Sequence, residues 1–274
     1  MGAADPDAEL TDADFARFSA LIHERSGIYL HGDKKTLLRT RLLKRMRKLN
    51  LTRFRDYYER VVNDRNGEEM DAMLDAISTN VTSFFREKQH FDFLARVLPE
   101  LADNDRGYLN IWSAACSSGE EPYTLAMTVA KTLPDWRRLG VRILATDIAE
   151  SVLAKAAAGM YPRNRLEGVP PQLLPKYFSR NAGSDTVQVS QELRYMIRFR
   201  HFNLNQDHWP FSKCFGVIFC RNVMIYFNRE TQEQLIGRFA RVMCPGGYLM
   251  VGHSESLTGI KHPLTYADAT IYRK

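Results

Sequence analysis

The chain has 274 residues, 45% of them hydrophobic and 26% charged, enough for one large domain or two modest ones with a sizeable core. No apolar run approaches the roughly 18 residues that a membrane span needs, and the start, with Asp5, Asp7, Glu9, Asp12 and Asp14, lacks the features of a signal peptide, so a cytoplasmic protein without membrane insertion is expected. A net charge of +6 is too mild to imply nucleic acid by itself, and Cys116, Cys214, Cys220 and Cys244 show neither a CxxC pair nor metal-ligand spacing, so all four are expected to be reduced, small buried hydrophobes.

Helical periodicity predicts helices near residues 15–25, 54–63 and 69–78, with no convincing strand before about residue 86. From Lys34 to Arg55 there are ten Lys or Arg residues and no acid. Within that run Leu38, Leu42, Met46 and Leu49 recur at helical spacing, which leaves Arg39, Arg41, Lys44, Arg45 and Lys48 largely on the other faces. Residues 1–86 therefore form a helical bundle carrying one cationic helix.

From Tyr108 the pattern changes. YLNIW, the loop SAACSSGEEPYTLA (113–126), an apolar-periodic helix through Leu133 and then VRILATD give strand, helix, strand, the signature of a parallel sheet. FGVIFC (215–220), a helix from about Glu230 to Met243, a CPGG turn, YLMVGHS (248–254) and a last strand in ATIYRK continue the alternation. Residues 160–202 differ, with Pro162, Pro170, Pro171 and Pro175 followed by the alternating TVQVS and by RYMIRFRHF. That composition predicts an antiparallel β insertion within a Rossmann-like α/β domain over residues 87–274.

The loop 113–126 sits where a nucleotide cofactor binds in such sheets, yet it has one glycine, and Glu120 and Glu121 lie where a pyrophosphate would sit. Two carboxylates repel a phosphate but suit a helix N-terminus and a cationic ligand. S-adenosylmethionine has a ribose, an ammonium and a sulfonium and no phosphate, and Asp147, at the end of the second strand, is placed to accept from ribose hydroxyls. The plainer alternative is that Glu120 and Glu121 complement the helix dipole and Asp147 caps the next helix.

The motifs in combination are more specific. TNVTSFFRE (79–87), WSAACSSGEEPY (112–123), ATDIAESVL (145–153), FNLN (202–205), CRNVMIYF (220–227) and GHSES (252–256) occur in one order, and with them the chain closely resembles the chemotaxis receptor methyltransferases, CheR, over nearly its whole length. The resemblance implies cofactor contacts from Asn80, Thr82, Arg86, Glu121, Asp147, Asn203, Leu204, Asn222 and Val223, with S-adenosylmethionine as methyl donor and S-adenosylhomocysteine as product. It also implies methyl esterification of glutamates on the cytoplasmic domains of chemoreceptors, docked through Arg39, Arg41, Lys44, Arg45, Lys48 and Arg53. Cys116 stands where the family often has alanine or glycine, so only local adjustment is expected.

A glutamate is already ionised at neutral pH, so its attack on a sulfonium methyl needs no general base. Arg86 and Tyr226 are the candidates for orienting the acceptor, against a salt bridge to Glu87 for the first and a core tyrosine for the second. His253 is favoured as a structural histidine, with no metal, and Trp112 as strand packing. The short turn near Arg180 to Thr186 argues against dependence on a receptor C-terminal peptide. Nothing requires more than a monomer. A nucleic-acid methyltransferase would carry Asn or Asp followed by Pro-Pro where this chain has Asn222, Val223, Met224 and Ile225; a non-catalytic adaptor that senses the cofactor is the other alternative, and an NAD oxidoreductase is weaker still.

Overall fold

The structure, a computed structural model, describes residues 9–103, 106–180 and 183–274. Asp5 and Asp7 of the acidic start, and two residues of the turn used to argue against a tether, lie outside them.

Helices α1 (Asp12–Ser26), α2 (Lys35–Lys48), α3 (Phe54–Asn63) and α4 (Glu68–Ile77) form the expected bundle. Each end has a local cause where one is visible: Thr11 accepts from the Asp14 amide at the start of α1, and Gly27, with a left-handed φ of 75°, closes it. Phe18, Ile22, Leu42, Met46 and Tyr57 fill a core of the bundle's own. The sequence did not reveal α5 (Lys88–Ala102), which leads into the second domain and buries Phe91, Leu94 and Leu98 against its sheet.

The catalytic-domain candidate continues with β1 (Leu109–Ser113), α6 (Glu120–Thr132), β2 (Val141–Asp147), α7 (Glu150–Ala158), β3 (Met160–Pro162), α8 (Leu174–Tyr177), β4 (Phe178–Arg180), β5 (Thr186–Val189), α9 (Gln191–Met196) and β6 (Ile197–His201). It ends with β7 (Phe215–Cys220), α10 (Arg229–Val242), β8 (Met243–Val251), β9 (Thr265–Asp268) and β10 (Ile271–Arg273). The main sheet has the order β6-β2-β1-β7-β8-β10-β9, parallel from β6 to β8 and antiparallel at β10 and β9. β1 is the switch point, because the chain runs outward from it through β2 and returns to its other side at β7.

Three expectations need correction. RYMIRFRHF is not part of the insertion: Arg194 to Met196 end α9, and Ile197–His201 pairs in parallel with β2, so the antiparallel sheet is β3-β5-β4 alone. Alternation predicted a strand there but not its partner, since register is a long-range property. CPGG is not a turn but lies inside β8, where the register against β7 shifts between Phe215 and Val217 and Gly246 adopts φ 75°. Finally, Cys214 and Cys244 are joined as a disulfide, their Cα atoms 5.0 Å apart. Phe215 pairs with Met243, and this register sets the two cysteines side by side at the amino end of β7 and β8, which their spacing in sequence could not show. Cys116 and Cys220 are buried free thiols, as expected.

The sheet is covered on both faces, so its central strands are apolar on both sides. Ile111 faces the layer made with α5 and α6, while Trp112 faces α10 and the segment holding Phe202, Trp209 and Phe211. Trp112 is fully buried, has the rings of Phe202, Trp209, Phe211, Phe215 and Phe239 within 5.6 Å, and donates from Nε1 to Thr146 Oγ1 at 2.9 Å. It is strand packing, as expected. Trp112→Ala should lower unfolding free energy by about 3–5 kcal/mol, the usual cost of deleting a buried aromatic side chain. Urea unfolding measures this, and a loss below about 1 kcal/mol would show that the ring cluster reorganises freely.

Candidate functional site

Four neighbouring strands release the chain at their carboxyl ends into one cavity of about 250 Å³: Ala114 and Ala115 after β1, Asp147 and Ile148 at the end of β2, Phe202 to Leu204 after β6, and Arg221 to Val223 after β7. The helical domain adds residues between Ser26 and Lys34, Leu37, and residues from Ile77 through the linker to Arg86. Asn80, Thr82, Arg86, Glu121, Asp147, Asn203, Leu204, Asn222, Val223 and Tyr226 all line it. Of the cationic docking candidates none does; Lys34, earlier in the same run, reaches its rim.

The two domains are laced together around this cavity. Ile28 bridges to Phe227, the Tyr29 amide donates to the Tyr226 carbonyl at 2.7 Å, and Ser151 Oγ donates to Asp75 at 2.8 Å. Asn203 Nδ2 donates to the Arg25 carbonyl at 2.5 Å and Asn205 Nδ2 to the Glu24 carbonyl at 3.2 Å, so FNLN grips the end of α1 as well as lining the cavity.

The adjacent glutamates of the loop have different fates. Glu120 turns away from the cavity, fully buried, to Arg165 at 2.5 Å and Ser118 at 2.7 Å. Glu121 faces the cavity, accepting from Ser113 Oγ at 2.7 Å and lying 3.3 Å from Arg221. Burial pushes the Glu121 carboxyl up more than Arg221 and Ser113 pull it down. Asp147 accepts from the amides of Ser117 at 2.8 Å and Ala149 at 3.0 Å, and burial raises its carboxyl too, against those amides. It therefore closes a turn just ahead of α7, without capping that helix, and presents spare lone pairs to the cavity at once. Gly119, at φ 97°, is small because a Cβ would meet Tyr161 and Ala156 at 2.7 and 2.8 Å; this contact is with α7 and β3, not with the cavity.

Arg86, half-buried, donates to the Val81 carbonyl at 2.9 Å. Its expected competitor Glu87 pairs instead with Arg221 at 3.2 Å. Tyr226 is half-buried at the cavity wall and not in the core. Asn222 has a left-handed φ of 59°, and its amide, with those of Gly252 and Ile225, donates to the buried Glu255 carboxylate at 2.6, 2.7 and 3.2 Å. Glu255 of GHSES thus fixes the RNV turn. Sequence reasoning missed Arg221 and Glu255; their signal was a charged residue at each of two strand ends, where only asparagine and histidine had been weighed.

On α2 the cations divide. Arg41 donates to the carbonyls of Ile77 and Ser78 and to Thr79 Oγ1, and Arg45 makes a bidentate pair with Glu69 at 2.8 and 2.7 Å, so both hold the bundle and linker together. Lys44 and Lys48 are exposed, Arg39 is half-buried, and Arg53 is exposed beside Asp56 at 2.8 Å.

The donor set fits S-adenosylmethionine. Two buried carboxylates face the cavity; Glu121 shares its one cation with Glu87, and Asp147 is met only by backbone amides, which favours an ammonium and hydroxyl donors over a phosphate. His31, an imidazole among the lining residues, is exposed at the outer rim against Tyr29.

Comparison with known proteins agrees. Residues 80–273 match the family model for the CheR methyltransferase SAM-binding domain, and residues 13–78 match that for the CheR methyltransferase all-alpha domain. The chain is similar to the chemotaxis protein methyltransferase of Escherichia coli, with 39% identity over 96% of this chain and 91% of that one. It is also similar to the probable chemotaxis protein methyltransferase of Rhizobium etli, with 41% identity over 92% and 96%, and to the chemotaxis protein methyltransferase of Borreliella burgdorferi, with 38% over 97% and 95%.

Because burial raises Glu121 and Asp147 in the folded chain, each favours folding when protonated and costs stability once ionised. Glu121→Gln and Asp147→Asn should therefore fold, yet each should weaken S-adenosylhomocysteine binding by about 1.5–3 kcal/mol, the worth of a hydrogen bond to a charged group. In calorimetry the unsubstituted chain should lose affinity with falling pH above the ordinary carboxylate range of about 4. An unchanged affinity in both variants would exclude the assignment.

Proposed function

The chain belongs to the CheR methyltransferase family, and from that premise we propose that it esterifies glutamate side chains of chemoreceptors. The bound cofactor supplies an electrophilic methyl group on a sulfonium. What supports the reading most is that Glu121 and Asp147 face the same cavity as Arg86 and Tyr226, so carboxylates suited to a cationic cofactor adjoin side chains suited to an anionic acceptor.

In this reading Glu121 would hold the ammonium and Asp147 the ribose hydroxyls, with Asn80, Thr82, Asn203, Leu204, Asn222 and Val223 shaping the remaining walls. Arg86 remains protonated and can only orient a carboxylate, and Tyr226 contributes a hydroxyl to the same task. No proton has to be removed from the acceptor, since a free glutamate ionises near pH 4.3. The residues act by alignment and by excluding water, which together supply roughly 7–11 kcal/mol when geometry is held well. The helical domain contributes the exclusion, covering the strand ends from Ser26 to Lys34.

Docking falls first to Lys44 and Lys48, which are exposed, with Arg39 and Arg53 as the remaining candidates. Such charges speed and orient encounter with acidic receptor helices more than they deepen affinity. Among the described residues no helix is long and apolar enough to cross a membrane.

Incubation with radiolabelled-methyl cofactor and receptor-containing membranes should give label released as methanol by mild alkali; alkali-stable label would point to nitrogen methylation and end the proposal. Arg86→Lys should lower kcat at least about tenfold, because a bidentate fork is not replaced by a point charge. Lys44→Glu with Lys48→Glu should raise KM for receptor severalfold and flatten its salt dependence, with S-adenosylhomocysteine affinity unchanged by calorimetry. A KM indifferent to both charge reversals would remove α2 from docking.

A further inference from the structure

Behind the cavity wall three potential ligand atoms from separate parts of the chain converge. Glu87 stands at the junction of the domains, His90 in the first turn of α5 and His253 in the loop after β8, and the carboxylate oxygen and two ring nitrogens lie within 4.8 Å of one another. Glu87 Oε2 is 3.5 Å from His90 Nδ1 and 3.6 Å from His253 Nε2.

The hydrogen bonds of His90 decide what this cluster lacks. Its ring is fully buried, and its Nε2 lies 2.8 Å from Thr270 Oγ1. The Thr270 hydroxyl also lies 2.7 Å from the Ala269 carbonyl, and with its proton directed there it accepts from His90 Nε2, the tautomer that a ligating Nδ1 requires. Nδ1 is then a bare lone pair, and it has no hydrogen-bond partner. It faces a carboxylate oxygen, two acceptors with nothing between them, an arrangement that is unfavourable in a buried setting unless a cation joins them.

We propose that Glu87 Oε2, His90 Nδ1 and His253 Nε2 bind a divalent transition-metal ion, with zinc as the best match. Tetrahedral ligands at 2.0–2.2 Å from zinc lie about 3.3–3.5 Å from one another, close to the distances of Glu87 Oε2 from the two ring nitrogens, and two imidazoles with one carboxylate are a zinc donor set with a fourth position left for water. Thr270 supplies the outer hydrogen bond that fixes the His90 tautomer, as ligating imidazoles require. Arg221 shares Glu87 at 3.2 Å and opposes a second cation, but it also pairs with Glu121, so the carboxylates outnumber it. His253, half-exposed, gives the ion an entry path; its Nε2 now meets the amide of the exposed Gln89, which the ion would displace. The ion ties the residue beside Arg86 to α5 and to the GHSES loop, so its role is to stiffen the junction that lines the cofactor cavity.

The test is zinc binding by the full chain. After chelator treatment and dialysis against zinc, elemental analysis should find one zinc per chain, calorimetry a micromolar or tighter Kd, and cobalt in its place the visible absorption bands of a tetrahedral site. His253→Gln, at a half-exposed position that the fold does not need, should weaken zinc binding about tenfold or more and abolish the rise in melting temperature that zinc confers. His90→Gln should do the same, and its melting temperature without zinc shows whether it folds. Absence of stoichiometric zinc, or equal retention by His253→Gln, would overturn the proposal.

Discussion

The buried guanidinium of Arg221 is the interaction on which the site depends. Its side chain is 1% exposed, lies 3.2 Å from Glu87 and 3.3 Å from Glu121, and donates to the Arg86 carbonyl at 2.5 Å. Phe91 and Phe219 flank it, with ring centroids 5.4 and 5.8 Å away. A charge this deep is tolerated only when paired, and here Glu87, Glu121 and the Arg86 carbonyl share it. Through one side chain, the turn after β7 is therefore tied to the linker from the helical domain and to the first turn of α6. Burial pushes the Glu87 carboxyl up, but Arg221, Asn222 and His253 together hold it below its ordinary value, so it stays ionised as the partner Arg221 needs.

Around that contact the backbone is held in conformations that side chains disfavour. Phe85, Glu87, Ser117 and Asn222 all have positive φ, between 47° and 59°. Each costs of order 1–3 kcal/mol and persists only where surrounding contacts overdetermine it. Those contacts are visible: Phe85 donates to Thr124, Glu87 meets Arg221, Ser117 donates to Asp147, and Asn222 donates to Glu255. The strained positions are the ones that aim Arg86, the loop after β1 and the RNV turn into a single cavity.

Much of this was legible in sequence because it is local. The bundle helices follow from leucine spacing, and the strand-loop-helix order from apolar runs broken by SAACSSGEE. What stayed hidden depends on register and rotation. Ile197–His201 alternates as an insertion strand would, yet it joins β2; Cys214 and Cys244 meet only because Phe215 pairs with Met243. Glu120 and Glu121 are chemically alike, but one residue of a helix is a turn of about 100°, enough to send one to Arg165 and the other to the cavity. The same limit applied to α2, where the charge run could not show that Arg41 and Arg45 have partners at Ile77 and Glu69 while Lys44 and Lys48 face solvent.

The distribution of charge then explains why one chain carries acids inside and bases outside. A positive sulfonium cofactor and a negative acceptor have to meet, and each is desolvated to do so, which in a dry cavity costs most if the counter-charge must move. Here the carboxylates are fixed, Asp147 at the end of β2 by two amides and Glu121 in the first turn of α6 by Ser113 and Arg221, so they need no rearrangement. If α2 docks the receptor as proposed, an acidic helix drawn to the exposed Lys44 and Lys48 is drawn to the domain whose residues between Ser26 and Lys34 line the cavity. On the proposed reading, attraction at long range and exclusion of water at short range come from the same small domain, whose attachment to the strand ends then matters as much as any residue lining the cavity.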